Sequence, residues 1–248
     1  MPVRALSRLK RNRRRLHERI ALLALVAACL ALVCADGNAQ LSGSVSAVSD
    51  YRYRGVSLSG NDPALQAAVN YDDPRGFYGG VFLSSVRFAF TSGREAQAVP
   101  FAGYAWRLPS GDSGELGIDY SAFTRTHIYD HAEAYWGFTS GNVNGRLHYA
   151  PRYFGIGGKS VYAELNAAQP LSERVRAIAH IGVLHAQSRN FYEGSGGRAV
   201  FDGRIGVGID VDPFNVELSW VGLSARSAYA FTGEGRRNGV VVTLMRLF

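Results

Sequence analysis

The sequence predicts an all-β protein, a transmembrane antiparallel up-and-down β-barrel of about 12 strands. Three observations lead to that expectation. Beyond residue 39 the chain alternates apolar and polar residues at a period of two. Its connections alternate between tight turns and longer loops. Its charged residues fall on one face of the alternating segments, and apolar and aromatic residues on the other.

Residues 1–39 read as a cleaved secretory leader, outside the mature fold. A basic stretch ends at Arg19, an unbroken apolar run of 14 residues follows from Ile20 to Val33, and a short polar tract ends at Gln40. Fourteen helical residues span about 21 Å, short of the roughly 30 Å hydrocarbon core, so a permanent helical anchor is not expected. Cleavage is expected after Ala39, with Ala35 as the alternative. A lipoprotein signal would use Cys34, but Val33 stands where a small residue is wanted.

Removing this head changes the charge arithmetic. The chain of 248 residues carries +7, but eight basic and two acidic residues lie in the head, which leaves +1 on the remaining 209. No basic surface remains for nucleic acid, so none is expected as a partner. A hydrophobic content of 47% argues against disorder. Cys29 and Cys34 both lie in the head, so the exported chain has no disulfide framework. No later apolar run is long enough for a transmembrane helix.

The segments follow in order. Over 41–53, Leu41, Val45, Ala47, Tyr51 and Tyr53 share one face, and Ser42, Ser44, Ser46, Asp50 and Arg52 the other. Over 64–71, Leu65, Ala67, Val69 and Tyr71 oppose Gln66 and Asn70. Segments 77–86 and 97–108 are apolar on both faces, so their register is open. Leu116, Ile118, Tyr120 and Ala122 oppose Asp119 and Ser121; Ala132, Ala134, Trp136 and Phe138 oppose Glu133 and Thr139. Leu147, Tyr149 and Tyr153 oppose Arg146, His148 and Arg152; Val161, Ala163, Leu165 and Ala167 oppose Glu164 and Asn166. Val175, Ala177, Ala179, Ile181 and Val183 oppose Arg174, Arg176 and His180. Ile205, Val207, Ile209 and Val211 oppose Asp202, Arg204 and Asp210; Val216, Leu218 and Trp220 oppose Glu217 and Ser219. A last segment, 238–248, ends the chain.

Turn chemistry at 72–76, 109–114, 141–144, 172–173 and 212–213 predicts tight connections. Longer ones fall at 55–62, 87–96, 125–131, 155–159, 186–199 and 223–237. Short periplasmic turns and longer external loops characterise an outer-membrane barrel, and periplasmic termini require an even strand count. A soluble lipocalin-like barrel would put its apolar face inward and its charges outward. The aromatic residues of the apolar face, many near strand ends, favour the membrane reading. Turning the charges to lipid would cost about 2–4 kcal/mol for each midplane Arg. The sheet must also close, because hydrocarbon satisfies no backbone polar group.

The lining expected from this face is Asp50, Arg52, Arg54, Asp119, Glu133, Arg146, Arg152, Glu164, Arg174, Arg176, Asp202, Arg204, Asp210 and Glu217. The arginines would contact anions in a fork, and the equal number of carboxylates argues against a strong anion preference. Val240, Val242, Leu244 and terminal Phe248 are similar to the C-terminal signal that outer-membrane assembly machinery reads, with Arg246 as an exception near the headgroups.

Ser49-Asp-Tyr-Arg-Tyr-Arg-Gly-Val-Ser57, Asp62-Pro-Ala-Leu-Gln66 and Gly76-Phe-Tyr-Gly-Gly-Val81 resemble the opening of the TorF-type porin family of Gram-negative bacteria. Tyr153-Phe-Gly155, Tyr162-Ala-Glu-Leu-Asn166 and Pro170-Leu171 are similar as well, whereas 87–100 departs, with only Glu95 acidic. The resemblance implies a barrel and a pore and supplies no substrate.

Catalytic and cofactor motifs fail. Gly155-Ile-Gly-Gly-Lys-Ser160 lacks the first glycine of a phosphate loop, since position 153 is Tyr. There is no Gly-x-Ser-x-Gly elbow. His127, His131 and Glu133 could hold a metal on an external loop, but histidines in polar loops usually have no such role. No catalytic residue, cofactor or metal is expected. The expected function is an outer-membrane channel for passive diffusion of small polar or ionic solutes, with outer-membrane lipids and the assembly machinery as further partners. The alternative is a non-conducting structural or receptor-like barrel whose lumen is plugged by salt bridges.

Overall fold

The fold is seen in a computed structural model, and the described residues are 40–88, 91, 93–187, 199–224 and 237–248. The expected leader at 1–39 lies outside them, as do most of the loops 186–199 and 223–237. Alternation produces strands throughout: β1 (Gln40–Val48), β2 (Arg52–Tyr53), β3 (Val56–Ser57), β4 (Ala64–Asp72), β5 (Phe77–Val86), β6 (Glu95–Arg107) and β7 (Ser113–Phe123). There follow β8 (His131–Ser140), β9 (Val143–Ala150), β10 (Ser160–Pro170), β11 (Val175–Ala186), β12 (Val200–Val211), β13 (Phe214–Leu223) and β14 (Gly239–Leu247).

β1 and β4 to β14 form a closed antiparallel barrel of twelve strands, and β2 and β3 pair separately as a small hairpin. Sequence neighbours pair around the wall, and β1 meets β14 with Ser44 opposite Leu247 and Val48 opposite Thr243. Between β1 and β4, the Ser46 hydroxyl donates to Gln66 Oε1 at 3.4 Å. Closure leaves no free sheet edge. The tight turns lie at one end of the barrel and the longer connections at the other.

The outer surface is apolar. Leu65 is 70% exposed, Ile118 63%, Ile205 64% and Val240 63%, values a water-facing sheet would not sustain. Aromatic pairs sit on the strands near the tight turns: Phe77 with Tyr104 at 5.0 Å and Trp136 with Phe138 at 6.2 Å between ring centroids. Rings at such a level suit a membrane–water boundary.

The two segments of open register resolve because closure forces a choice. Phe77 and Leu83 of β5 are exposed on the outside, while Ser84 and Val86 are buried. On β6, Gln97 is buried and Val99 and Phe101 line the interior.

Three expectations need correction. The first segment does not run to Tyr53: its strand ends at Val48. Asp50 accepts from the Ser57 and Ser59 hydroxyls and from Arg52 Nε at 2.5, 3.1 and 2.5 Å, and Arg54 and Gly55 take φ of +50° and +76°. That knot folds β2 and β3 inward, so Tyr51 and Tyr53 pack against the internal core rather than facing lipid. Tyr153 likewise is wholly buried in a 3₁₀ turn (Tyr153–Gly155), because β9 ends at Ala150 and Phe154 and Gly155 take positive φ. Arg152 stands exposed beside that turn, and Arg174 is exposed in the turn between β10 and β11. Neither is among the residues lining the interior.

Candidate functional site

Inward-facing side chains divide the barrel interior into two regions. At the end with the longer connections it is apolar. Val56 and Leu58 of the hairpin meet Val86, Phe88, Phe123, Tyr129, Ala150, Tyr153, Phe154, Tyr162, Leu184, Ala186, Val200 and Leu223 in one buried cluster. Val48, Ala64, Val221 and Val241 form a second cluster, and Tyr51 packs against both. Ten of the twelve wall strands thus contribute a buried apolar residue at this level: β1, β4, β5, β7 and β9 to β14. Leu58, Phe88, Tyr153 and Phe154 have no exposed surface at all. Packed interiors of this kind exclude water.

Below this seal lies a polar cavity of about 880 Å³, extending to the tight-turn end, where Ser42, Asp72 and Ala105 line it. Its walls carry seven carboxylates (Asp50, Asp72, Glu115, Asp119, Glu133, Glu164, Asp202) and four guanidinium groups (Arg52, Arg54, Arg146, Arg204), together with His148 and His180. Most of these charges are paired. Arg54 donates from Nη1 and Nη2 to Glu133 Oε1 and Oε2 at 2.9 and 2.5 Å. Its guanidinium also lies over the rings of Tyr162 at 4.1 Å and Tyr53 at 4.8 Å. Arg146 donates to both oxygens of Glu115 at 2.7 and 3.2 Å. Arg204 pairs with Glu217 at 3.0 Å, and His180 Nε2 lies 2.8 Å from Asp202. The Arg54–Glu133 pair, with side chains 5% and 2% exposed, is removed from bulk water and holds its geometry strongly.

Of the fourteen lining residues expected from sequence, nine border the cavity: Asp50, Arg52, Arg54, Asp119, Glu133, Arg146, Glu164, Asp202 and Arg204. Glu217 reaches it through Arg204. Arg176 and Asp210 form a pair at 3.2 Å that Asn215 joins near the tight-turn end, apart from the cavity lining. Arg152 and Arg174 are outside it, as described above. Sequence reasoning missed Glu115, Tyr78, Tyr135 and Gln97. Glu115 shares its face with Asp119, and counting back four residues would have found it. Tyr78 and Gln97 lay in the segments of open register. His127 faces Asp130 at 3.2 Å on the surface, whereas His131 turns inward and is buried, so these two do not act together. Phe248 pairs with Gly43 through two backbone hydrogen bonds of 2.9 and 3.0 Å, and so ends the closing strand.

A family model described as bacterial protein of unknown function (Gcw_chp) matches residues 33–247. Among solved structures, the chain is similar to the NanC porin, at 9% identity and a TM-score of 0.53, over 84% of this chain and 98% of that one. It is also similar to the KdgM porin in complex with disordered oligogalacturonate, at 8% identity and a TM-score of 0.50, over 84% and 99%. At such identities the likeness is one of fold. No curated protein matches the chain. The chain belongs to the Gcw_chp family.

Proposed function

We propose that this Gcw_chp member is a porin-like channel of the bacterial outer membrane, exported through a leader within residues 1–39. It passes small polar or ionic solutes by diffusion along the charged interior, and the conformation described here is its closed one. The observation that carries this reading is the polar cavity of about 880 Å³, reaching one end of a lipid-facing barrel and stopped at the other by the inserted hairpin. The porin fold of the similar structures and the likeness to TorF-type porins support it. The wall holds more carboxylates than guanidinium groups, so the passage favours cations over anions. No catalytic step is assigned to it.

The hairpin is the element expected to move. It is short, its two strands pair with each other, and polar contacts tie it to the wall at a few points: Arg54 to Glu133, the Tyr51 hydroxyl to Gln97 at 3.0 Å, and the Leu58 carbonyl to the Arg87 N–H at 2.8 Å. A second reading has its own observation: the fully buried Leu58, Phe88, Tyr153 and Phe154 form a dry seal, suited to a barrel that does not conduct and instead holds a ligand in its cavity. Planar-bilayer recording separates the two. Conductance steps from the folded protein, enlarged when residues 51–58 are replaced by a short Gly-Ser linker, support the channel. Silence from both correctly folded proteins overturns it in favour of the second reading.

A further inference from the structure

Asp119 of β7 and Glu133 of β8 are direct register partners, and both line the cavity. Carboxylates placed opposite one another repel, so the pair calls for a cation. Arg54 serves Glu133 through both oxygens, but among the described residues no hydrogen bond reaches the Asp119 carboxylate. His148, on the next strand, brings a ring nitrogen to the same place: one ligand atom from each of Asp119, Glu133 and His148 lies within 4.8 Å of the others.

A second observation is independent of this cluster. The His131 side chain is 1% exposed, and its Nε2 has no hydrogen-bond partner, lying 3.8 Å from Glu133 Oε1. Its Nδ1 is 3.0 Å from the Tyr129 carbonyl oxygen, an acceptor, which sets Nδ1 as the protonated nitrogen and leaves Nε2 a bare lone pair. An orphaned buried acceptor is costly. His148 Nδ1, 3.2 Å from Glu133 Oε2, is likewise buried without a hydrogen-bond partner, and it, unlike His131, belongs to the cluster: a free imidazole nitrogen beside two carboxylates is the arrangement of a metal ligand.

We propose that Asp119, Glu133 and His148 form a binding site for a divalent transition metal of the zinc class, reached from the cavity, with water at its fourth position and Arg54 as the internal cation that otherwise holds Glu133. One imidazole and two carboxylates, with water completing four-coordination, match the donor set of such an ion, and the two negative charges neutralise it. Magnesium and calcium prefer all-oxygen shells and are disfavoured by His148. A metal and a guanidinium cannot share Glu133 without repulsion, so metal and Arg54 compete.

The test is titration of the full-length folded barrel in detergent micelles with zinc chloride, in a non-chelating buffer after dialysis against a chelator. X-ray absorption at the zinc edge would accompany it. One zinc per chain is expected. Asp119→Asn and His148→Ala should each weaken binding at least tenfold, and Arg54→Gln should tighten it at least tenfold. Zinc binding that survives both first substitutions, or no binding to either the wild type or Arg54→Gln, overturns the site. Arg54→Gln that binds no tighter overturns the competition. Should a variant fail to fold, the absorption spectrum of wild type decides: a shell of one imidazole with oxygen donors supports the site, and a shell without an imidazole sinks it.

Discussion

The guanidinium of Arg54 clasps both carboxylate oxygens of Glu133, at 2.9 and 2.5 Å, from a turn 79 residues earlier in the chain. Both side chains are nearly out of solvent, with 5% and 2% exposure. The pair fastens the inserted hairpin to the barrel wall. Glu133→Gln leaves a buried guanidinium without its counter-charge, and removal of one partner of such a pair costs about 3–5 kcal/mol. Urea unfolding of the barrel in detergent measures that loss, and a cost under about 1 kcal/mol would show that the clasp is not structural.

The seal should depend on aromatic bulk. Phe154 packs on Tyr153, with ring centroids 4.9 Å apart, and edge-on to Tyr53 at 5.9 Å. Phe154→Ala should destabilise by about 3–5 kcal/mol, the usual cost of truncating a buried Phe. It should also raise single-channel conductance or open probability, and an unchanged current would place the barrier elsewhere.

Outward and inward positions on one strand should respond oppositely to charge. Ile118 is exposed on the outer face of β7, whereas its neighbour Asp119 lines the cavity. Ile118→Arg should cost about 2–4 kcal/mol if that position lies near the bilayer midplane. Folding yield into lipid vesicles measures this, and a barrel indifferent to the substitution does not present that face to lipid.

Closure between β1 and β14 relies on a glycine. A Cβ on Gly43 would lie 2.5 Å from the Phe248 ring, which covers that position. Gly43→Ala should therefore force the ring aside and cost about 1–3 kcal/mol, as overpacking does. Deleting Phe248 should lower the amount of folded barrel in the outer membrane without changing expression. Heat-modifiable electrophoretic mobility reads both.

At the turn after β4, Asp73 accepts from the Arg75 guanidinium and backbone N–H, which lowers its pKa from 3.8 to about 2. The folded value lies below the unfolded one. Any stability from this turn is thus present above pH 4 or so and is lost as pH falls towards 2. Carboxyl-carbon NMR titration of Asp73 checks this, and Arg75→Ala should return the midpoint to the ordinary range.

Much of the barrel was legible because lipid and water impose opposite demands on alternate residues. Leu116, Ile118 and Tyr120 against Asp119 and Ser121 could be read directly, and the turn at Gly141-Asn142 needed only its local chemistry. The 51–59 and 151–159 stretches were not legible in this way. Tyr51, Tyr53 and Tyr153 keep the apolar spacing of a strand, yet they fill the mouth, since an interior sealed from water wants the same residues as a surface turned to lipid. Arg152 and Arg174 match the polar phase of their segments, yet Arg152 lies beyond the end of β9 and Arg174 before the start of β11.

The sequence alone determined the strands, their count, the alternation of connections and which face meets hydrocarbon, because these follow from period-two patterning and local turn chemistry. Only the tertiary structure decided that the interior is half sealed and half polar cavity, and that Arg54 reaches Glu133 while Asp119 stands opposite it without a hydrogen bond. Those relations join residues distant in the chain, and curling the sheet into a cylinder brings them face to face.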